Sequence, residues 1–116
     1  MSDKKPFRIN VFEIIGGNAA VSSDDGDIIF QRVDKVFKGE TPVILDFINI
    51  EIIVSTFLNA AIGQLYGSYD TEFIRTHLKV ENMSNDDLGI LKKVVDRAKE
   101  YFQNKHNFES TIDRSI

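Results

Sequence analysis

The feature that most constrains the fold is a short apolar run, Val43-Ile44-Leu45, that ends on Asp46. Its apolar residues are consecutive and do not alternate with polar ones, so neither side of the run is suited to water. A short continuous run of this kind indicates a strand that is covered on both faces, as in the centre of a parallel sheet. The sequence therefore predicts a central strand from Pro42 to Phe47.

The residues that follow this strand predict a helix. The stretch from Ile48 to Val54 stays mostly apolar, and Ser55-Thr56 then supplies hydroxyl groups of the kind that accept hydrogen bonds from free amides at a helix start. Apolar residues recur beyond them at helical spacing: Phe57, Leu58, Ala61, Ile62 and Leu65. We expect this helix to bury one face and to end at Gly67.

Upstream, the sequence predicts one strand and one long helix. The stretch from Phe7 to Ile15 begins with the alternation typical of a half-buried strand, and Gly16-Gly17-Asn18 favours a turn. The run Ser22-Ser23-Asp24-Asp25 is typical of a helix start with a hydroxyl cap and an acidic first turn. This helix is expected to reach about Lys38, with Gly39 in the left-handed conformation that ends many helices.

Downstream, we expect a short helix from Thr71 to about His77, a strand from Leu78 to Asn82 and a final helix that begins after Ser84. Strands that alternate with helices predict an α/β fold, with a small mixed sheet of four to five strands flanked by three main helices. Residues 1–104 are assigned to this single domain. Residues 105–116 are assigned to a polar C-terminal tail, which is expected to be loosely docked or disordered.

Composition excludes several classes of function. Cysteine is absent, which removes disulfides and cysteine-ligated metals and fits a reducing cytoplasm. The formal charge of −4 has the wrong sign for a protein that neutralises phosphates, so nucleic acid is not expected as a partner. His77 and His106 lack zinc-site spacing, and the longest apolar stretch is too short and polar to cross a membrane. We expect a soluble cytoplasmic protein without a cofactor.

Two segments, Val43 to Phe47 and Ile53 to Gly63, resemble the STAS-like domains, which are relatives of the bacterial anti-sigma factor antagonists. The resemblance covers residues 23–80. It implies a mixed sheet flanked by helices, and a partner-binding surface at a helix start where a Ser or Thr is phosphorylated by an ATPase-type kinase. The Asp-Ser-Ser/Thr-Gly loop of the wider family falls on Val54, Ser55, Thr56 and Phe57, so only the hydroxyl residues match.

The resemblance makes Thr56 the first candidate phosphoacceptor and Ser55 the second. The residues predicted to contact a partner are Asp46, Asn49, Glu51, Phe57 and Asn59. Structural alternatives stand beside these roles. Ser55 at the N-cap would bond a free amide of the first turn, and the carboxylate of Asp46 would accept backbone amides from the connector 48–51.

The sequence therefore predicts a regulatory binding module without catalytic activity, whose partner is an ATPase-type kinase or an anti-sigma-like regulator. The alternative is a small-ligand or nucleotide-binding domain that uses the backbone of Gly16 to Asn18 and the helix start at Ser55. A hydrolase built from Ser55, His77 and Asp46 lacks the Gly-x-Ser-x-Gly elbow that would support it. An edge strand also offers a route to a homodimer.

Overall fold

The computed structural model of the chain describes residues 4–115, with side chains described for residues 4–103. The strands are β1 (Phe7–Asn10), β2 (Ala19–Ala20), β3 (Val43–Asp46), β4 (Ile52–Ile53) and β5 (Leu78–Glu81). The helices are α1 (Val11–Ile15), α2 (Ser23–Phe37), α3 (Ser55–Ala61), a 3-10 helix (Gly63–Gly67), α4 (Thr71–His77) and α5 (Asn85–Ser115). None of these helices combines the length and apolar character needed to cross a bilayer within the described part of the chain.

The strands form two small sheets. In the larger sheet the order is β1-β3-β5, and Leu45 at its centre lies opposite Ile9 on one side and Val80 on the other. β2 and β4 pair separately. The predicted central parallel strand is confirmed, whereas the predicted single mixed sheet is wrong. All pairings among the described residues are parallel, because the chain between each pair of neighbouring strands contains at least one helix that returns it to the same end of the sheet.

The two faces of the β1-β3-β5 sheet differ. Val43 and Leu45 are buried beneath the helices, whereas the opposite face places Ile44 between the exposed residues Arg8 and Lys79. The prediction that both faces of β3 are covered is therefore only half right. Long charged side chains flank Ile44, which is half-buried, where a second layer of helices was expected.

β1 ends five residues earlier than predicted because Asn10 caps a helix. Its side chain accepts a hydrogen bond from the backbone N–H of Glu13 at 2.8 Å, and the five residues from Val11 to Ile15 form α1. Gly16 then adopts a left-handed conformation with φ of 79° and ends this helix. The turn predicted at Gly16 is thus confirmed, but it follows a helix and not a strand.

The predicted helix after Ser22 is confirmed with small changes at its end. The Ser22 hydroxyl accepts a hydrogen bond from the backbone N–H of Asp25 at 3.0 Å, and α2 ends at Phe37. The left-handed residue beyond it is Glu40, with φ of 57°, and not Gly39. The predicted left-handed cap at Gly39 is wrong because the chain makes one further hydrogen-bonded turn, from Glu40 N–H to Phe37 C=O, before it reverses.

The helix predicted from Ser55 to Gly67 divides in two at Ile62. α3 ends at Ala61, and the remaining residues to Gly67 form the 3-10 helix. Beside the three main helices and the short helix predicted from Thr71, the described residues therefore contain α1 and the 3-10 helix. α5 continues past Gln103 to Ser115, and the side chains of the predicted polar tail, including Phe108 and Ile112, lie outside the described residues.

α2 and α3 make the closest helix packing in the core, at Gly26. A Cβ atom added to Gly26 would lie 2.6 Å from the backbone oxygen of Phe57 and 2.7 Å from the Cβ of Ala60. Both neighbours are backbone or near-backbone atoms that cannot swing aside. This contact sets the distance between the first turn of α2 and the start of α3.

Replacing Gly26 with alanine should therefore destabilise the protein although alanine is the better helix former. We expect Gly26→Ala to lower the free energy of unfolding by about 1–3 kcal/mol through overpacking. The matched control is Gly89→Ala in α5, where an added Cβ meets no atom within 4 Å. That change should raise stability by about 0.5–1 kcal/mol. Urea unfolding of both variants checks the contrast, and a stabilised Gly26→Ala would contradict it.

Candidate functional site

Asp46 lies at the carboxyl end of β3 and holds three parts of the chain together. Its Oδ1 accepts hydrogen bonds from the backbone N–H of Ile48 at 3.0 Å and from the amide of Asn82 at 2.8 Å. Its Oδ2 pairs with the guanidinium of Arg8 at 3.0 Å, and Arg8 also pairs with Glu81 at 2.9 Å. Asp46 is only 7% exposed. The structural role considered for Asp46 matches this geometry, which leaves little of its carboxylate to contact a partner.

These donors lower the pKa of Asp46. The amide of Asn82 contributes most, followed by the N–H of Ile48 and the guanidinium of Arg8, while burial acts in the opposite direction. A carboxyl group whose pKa is lower in the folded chain than in the unfolded chain stabilises the fold above its ordinary pKa of 3.8. That stability is lost as the pH falls through the folded-state value.

The connector after Asp46 turns away from the larger sheet and leads into β4. Asn49 adopts a left-handed conformation with φ of 68° and is exposed, as is Glu51. The backbone N–H groups of Glu51 and Ile52 both donate to the carbonyl of Asn18, at 2.8 and 3.2 Å. The turn at Gly16 to Asn18 therefore anchors β4. Its predicted use in binding a nucleotide stays a prediction.

β2 and β4 together present an apolar face to solvent. Ala20 and Ile53 point into the core, so Val21 and Ile52 point outwards, and these two side chains are 44% and 53% exposed. Val54 continues β4 in an extended conformation and donates its N–H to the carbonyl of Ala20. We call the surface formed by Ala19, Val21, Ile52 and Val54 the outer β2–β4 face. Ile48, which is also exposed, lies in the connector that leads to it.

The candidate phosphoacceptors follow this face directly. Val54 is the N-cap of α3, and no side chain caps the helix, so the predicted N-cap role of Ser55 is wrong. Because Val54 is the last extended residue, Ser55 is already the first helical residue. Ser55 and Thr56 are exposed, and neither hydroxyl has a hydrogen-bond partner among the described residues.

Two further residues of α3 were predicted to contact a partner, and the structure separates them. Asn59 is exposed and lies one turn beyond Ser55, on the same side of the helix. Phe57 is fully buried in the core, so the predicted contact of its side chain with a partner is wrong. Its backbone oxygen takes part in the close contact with Gly26.

The segments of the chain that form the outer β2–β4 face carry only negative charge, while Arg97 of α5 lines a pocket with Asn59. The segments 16–31 and 43–64, which supply this face and both neighbouring helix starts, contain no lysine or arginine. They contain Asp24, Asp25, Asp27 and Glu51 in addition to the ion-paired Asp46. This absence of basic residues is visible in the sequence, and it was not used in predicting the site.

The three residues of the hydrolase alternative do not meet. His77 precedes β5, whose first residue pairs with Val43 at the amino end of β3, and the His77 ring stacks on Phe73 at 3.9 Å. Asp46 lies beside Glu81 at the other end of β5, about 10 Å further along the strand. Within the described residues there is also no group of three or more side chains able to hold a metal ion.

Helices pack on one face of a small parallel sheet, and this α/β arrangement is consistent with a STAS-like domain. The family model of the STAS-like domain of unknown function (DUF4325) matches residues 25–88, which is more than half of the chain. The chain belongs to this family, as the resemblance predicted. No curated protein and no solved structure matches it. The matched region runs from the first turn of α2 to the start of α5 and leaves out β1, α1 and β2.

The free hydroxyls of α3 lead to a stability prediction. Ser55→Ala and Thr56→Ala should each change the free energy of unfolding by less than about 0.5 kcal/mol, because neither side chain makes a hydrogen bond in the described structure. Ser22→Ala, which removes a true cap, should cost about 1 kcal/mol. Urea unfolding of the three variants checks this, and a loss at Ser55 equal to that at Ser22 would restore its capping role.

The hydrogen bonds of Asp46 lead to a pH prediction. Unfolding free energy should decline as the pH falls from neutral through 3.8 and below. Asn82→Gly removes the hydrogen bond that lowers the pKa of Asp46 most, and glycine keeps the left-handed backbone of residue 82. The change should lower the free energy of unfolding by about 1.5–3 kcal/mol at neutral pH. It should also make the loss of stability at acidic pH smaller.

Asn49→Gly is the matched control for this change, because Asn49 shares the left-handed conformation and its side chain makes no hydrogen bond in the described structure. The free energy of unfolding of Asn49→Gly should fall at acidic pH as much as that of the wild type. Asp34, whose pKa is lowered first by the hydroxyl of Tyr69, contributes equally in both variants and cancels in the comparison. Identical pH profiles for the two variants would contradict the assignment to Asp46.

Proposed function

We propose that this chain is a regulatory protein-binding module that docks through the outer β2–β4 face and the first turn of α3, and that it does not act as an enzyme. The observation that carries the proposal is the pairing of exposed apolar and exposed polar chemistry. Val21 and Ile52 present bare hydrocarbon to water, and the free hydroxyls of Ser55 and Thr56 follow within a few residues.

Burial supplies the affinity in this proposal. Covering a half-exposed isoleucine or valine removes apolar surface from water at about 25 cal/mol per Å², and the few side chains at the centre of an interface carry most of its binding energy. Asn49, Glu51 and Asn59 are exposed polar residues at the rim, where they add orientation more than affinity.

The charge of the surface defines the partner. Because the segments around the face carry acids and no bases, the matching surface has an apolar centre and a basic rim. The likeness of the STAS-like domains to anti-sigma factor antagonists adds the kind of partner, an ATPase-type kinase or an anti-sigma-like regulator. Both are proteins that would be released or recaptured by a change of charge.

Phosphorylation supplies that change. A phosphate on Thr56, or on Ser55, adds about two negative charges to a surface that is already acidic and that must lose water when it docks. The departures from the family loop favour docking as the primary role. Val54 stands where the loop has Asp, and it makes the surface apolar up to the first residue of α3.

The docking surface is tested with Ile52→Glu. The partner is first recovered on the wild-type chain from cells of its natural host, and its affinity is then measured with purified proteins by calorimetry. Ile52→Glu should weaken binding at least about tenfold, equivalent to about 1.4 kcal/mol. Thr71→Glu is the control, because Thr71 is exposed at the first residue of α4 and is not part of the outer β2–β4 face. Weaker binding in the control alone would place the interface elsewhere.

The switch is tested in the same assay with Thr56→Glu. The added charge should weaken binding of the partner, whereas Thr71→Glu, at the equally exposed first residue of α4, should leave it unchanged. Unchanged affinity in Thr56→Glu, together with loss in Ile52→Glu, would remove the switch and leave the docking role.

A further inference from the structure

A groove of about 930 Å³ runs along the free edge of β1, and none of its lining residues belongs to the outer β2–β4 face. Its lining comes from β1 itself, from Glu13 and Ile14 of α1, and from Arg32, Lys35 and Val36 of α2. β1 is an end strand of the β1-β3-β5 sheet, so one of its sides has no partner strand among residues 4–115. The groove therefore exposes main-chain groups as well as side chains.

The free main-chain groups belong to alternate residues of β1. Phe7 donates its N–H to the carbonyl of Pro42 at 2.8 Å, and Phe7 and Ile9 pair in register with Val43 and Leu45. Successive residues of a strand direct their N–H and C=O groups to opposite sides. Arg8 and Asn10 therefore direct their N–H groups away from β3 and into the groove.

β1 lacks three of the devices that block strand addition at an edge, although its length of four residues limits how long an added strand can be. These three devices are charged side chains at the edge, prolines and bulges. Arg8 is the one charged residue of β1, and its guanidinium is bound to Asp46 and Glu81 across the sheet, away from the free edge. The four residues of β1 contain no proline and pair with β3 without a bulge.

The side chains of the groove specify the chemistry of an occupant. Ile14 and Val36 are half-buried and pack against the core, while Phe7 is largely exposed. Arg32 and Lys35 lie one turn apart on α2, and neither has an ion pair or a hydrogen bond within the described part of the chain. The lining therefore sets the positive charges of Arg32 and Lys35, above an apolar floor, against the one negative charge of Glu13, and this excess of positive charge favours a ligand that carries carboxylates.

We propose that this groove binds an extended acidic segment of another protein, which adds to β1 as a fourth strand of the sheet. Main-chain hydrogen bonds to Arg8 and Asn10 hold the segment, apolar side chains cover Phe7 and Val36, and carboxylates meet Arg32 and Lys35. β1 accommodates about four residues of such a segment, a length of about 13 Å. This surface is separate from the outer β2–β4 face and does not depend on the function proposed for it.

The test uses a defined probe, acetyl-Glu-Val-Glu-Val-Glu-Val-amide, titrated into the ¹⁵N-labelled protein and followed by NMR. Binding should protect the Arg8 amide from hydrogen exchange, while the Ile9 amide, already paired with β3, is protected with and without peptide. The double variant Arg32→Glu/Lys35→Glu should weaken binding at least about tenfold. The matched control Lys93→Glu/Arg97→Glu changes an exposed lysine and arginine of α5, and it should bind as the wild type does.

Each other outcome overturns the proposal. No binding of the acidic peptide at about 1 mM, or equal binding of the analogue in which Lys replaces Glu, removes the specificity for carboxylates. Binding without protection of Arg8 shows charge attraction without strand addition. If light scattering finds a dimer in which the Arg8 amide is protected without peptide, the occupant of the groove is a second copy of this chain.

Discussion

The carboxylate of Asp46 is the constraint on which the rest of the structure depends. It is almost fully buried, and it joins β1 through Arg8, the connector to β4 through Ile48, and the end of β5 through Asn82. β4 and α3 follow directly from this connector, so the position of the outer β2–β4 face depends on it. A buried charge of this kind is tolerated only because every donor is in place. The same bonds hold Arg8 over the sheet and leave the edge of β1 open.

The sequence predicted the long elements well because their patterns repeat. α2 and α5 carry apolar stripes over several turns together with true caps at Ser22 and Ser84, so local and tertiary signals agree. The first strand was predicted too long because α1, with five residues, is too short to show a helical pattern of apolar residues. The alternation that begins at Phe7 was therefore taken to continue past the helix cap at Asn10. The division into two parallel sheets could not be predicted, since two-residue strands leave no pattern of their own.

The candidate site was predicted in its location more than in its parts. Free hydroxyls and exposed polar residues do lie at the start of α3, but Ser55 is not its cap and Phe57 belongs to the core. Periodicity cannot distinguish a cap from the first helical residue, because the two differ by one position. The exposure of Ile52 was equally out of reach, since it follows from pairing with β2, whose existence the sequence did not indicate.

α2 connects the two surfaces that we propose as docking sites. Its first turn is acidic and borders the outer β2–β4 face, whereas Arg32 and Lys35, about 10 to 15 Å further along, line the groove beside β1. This order of charges suits the dipole of the helix, so it stabilises α2 as well. α2 is a continuous helix whose first turn is held against α3 by the contact at Gly26, so the distance between its two ends is fixed. Two molecules bound at its ends would be held at a constant spacing, and their encounter would become an intramolecular event.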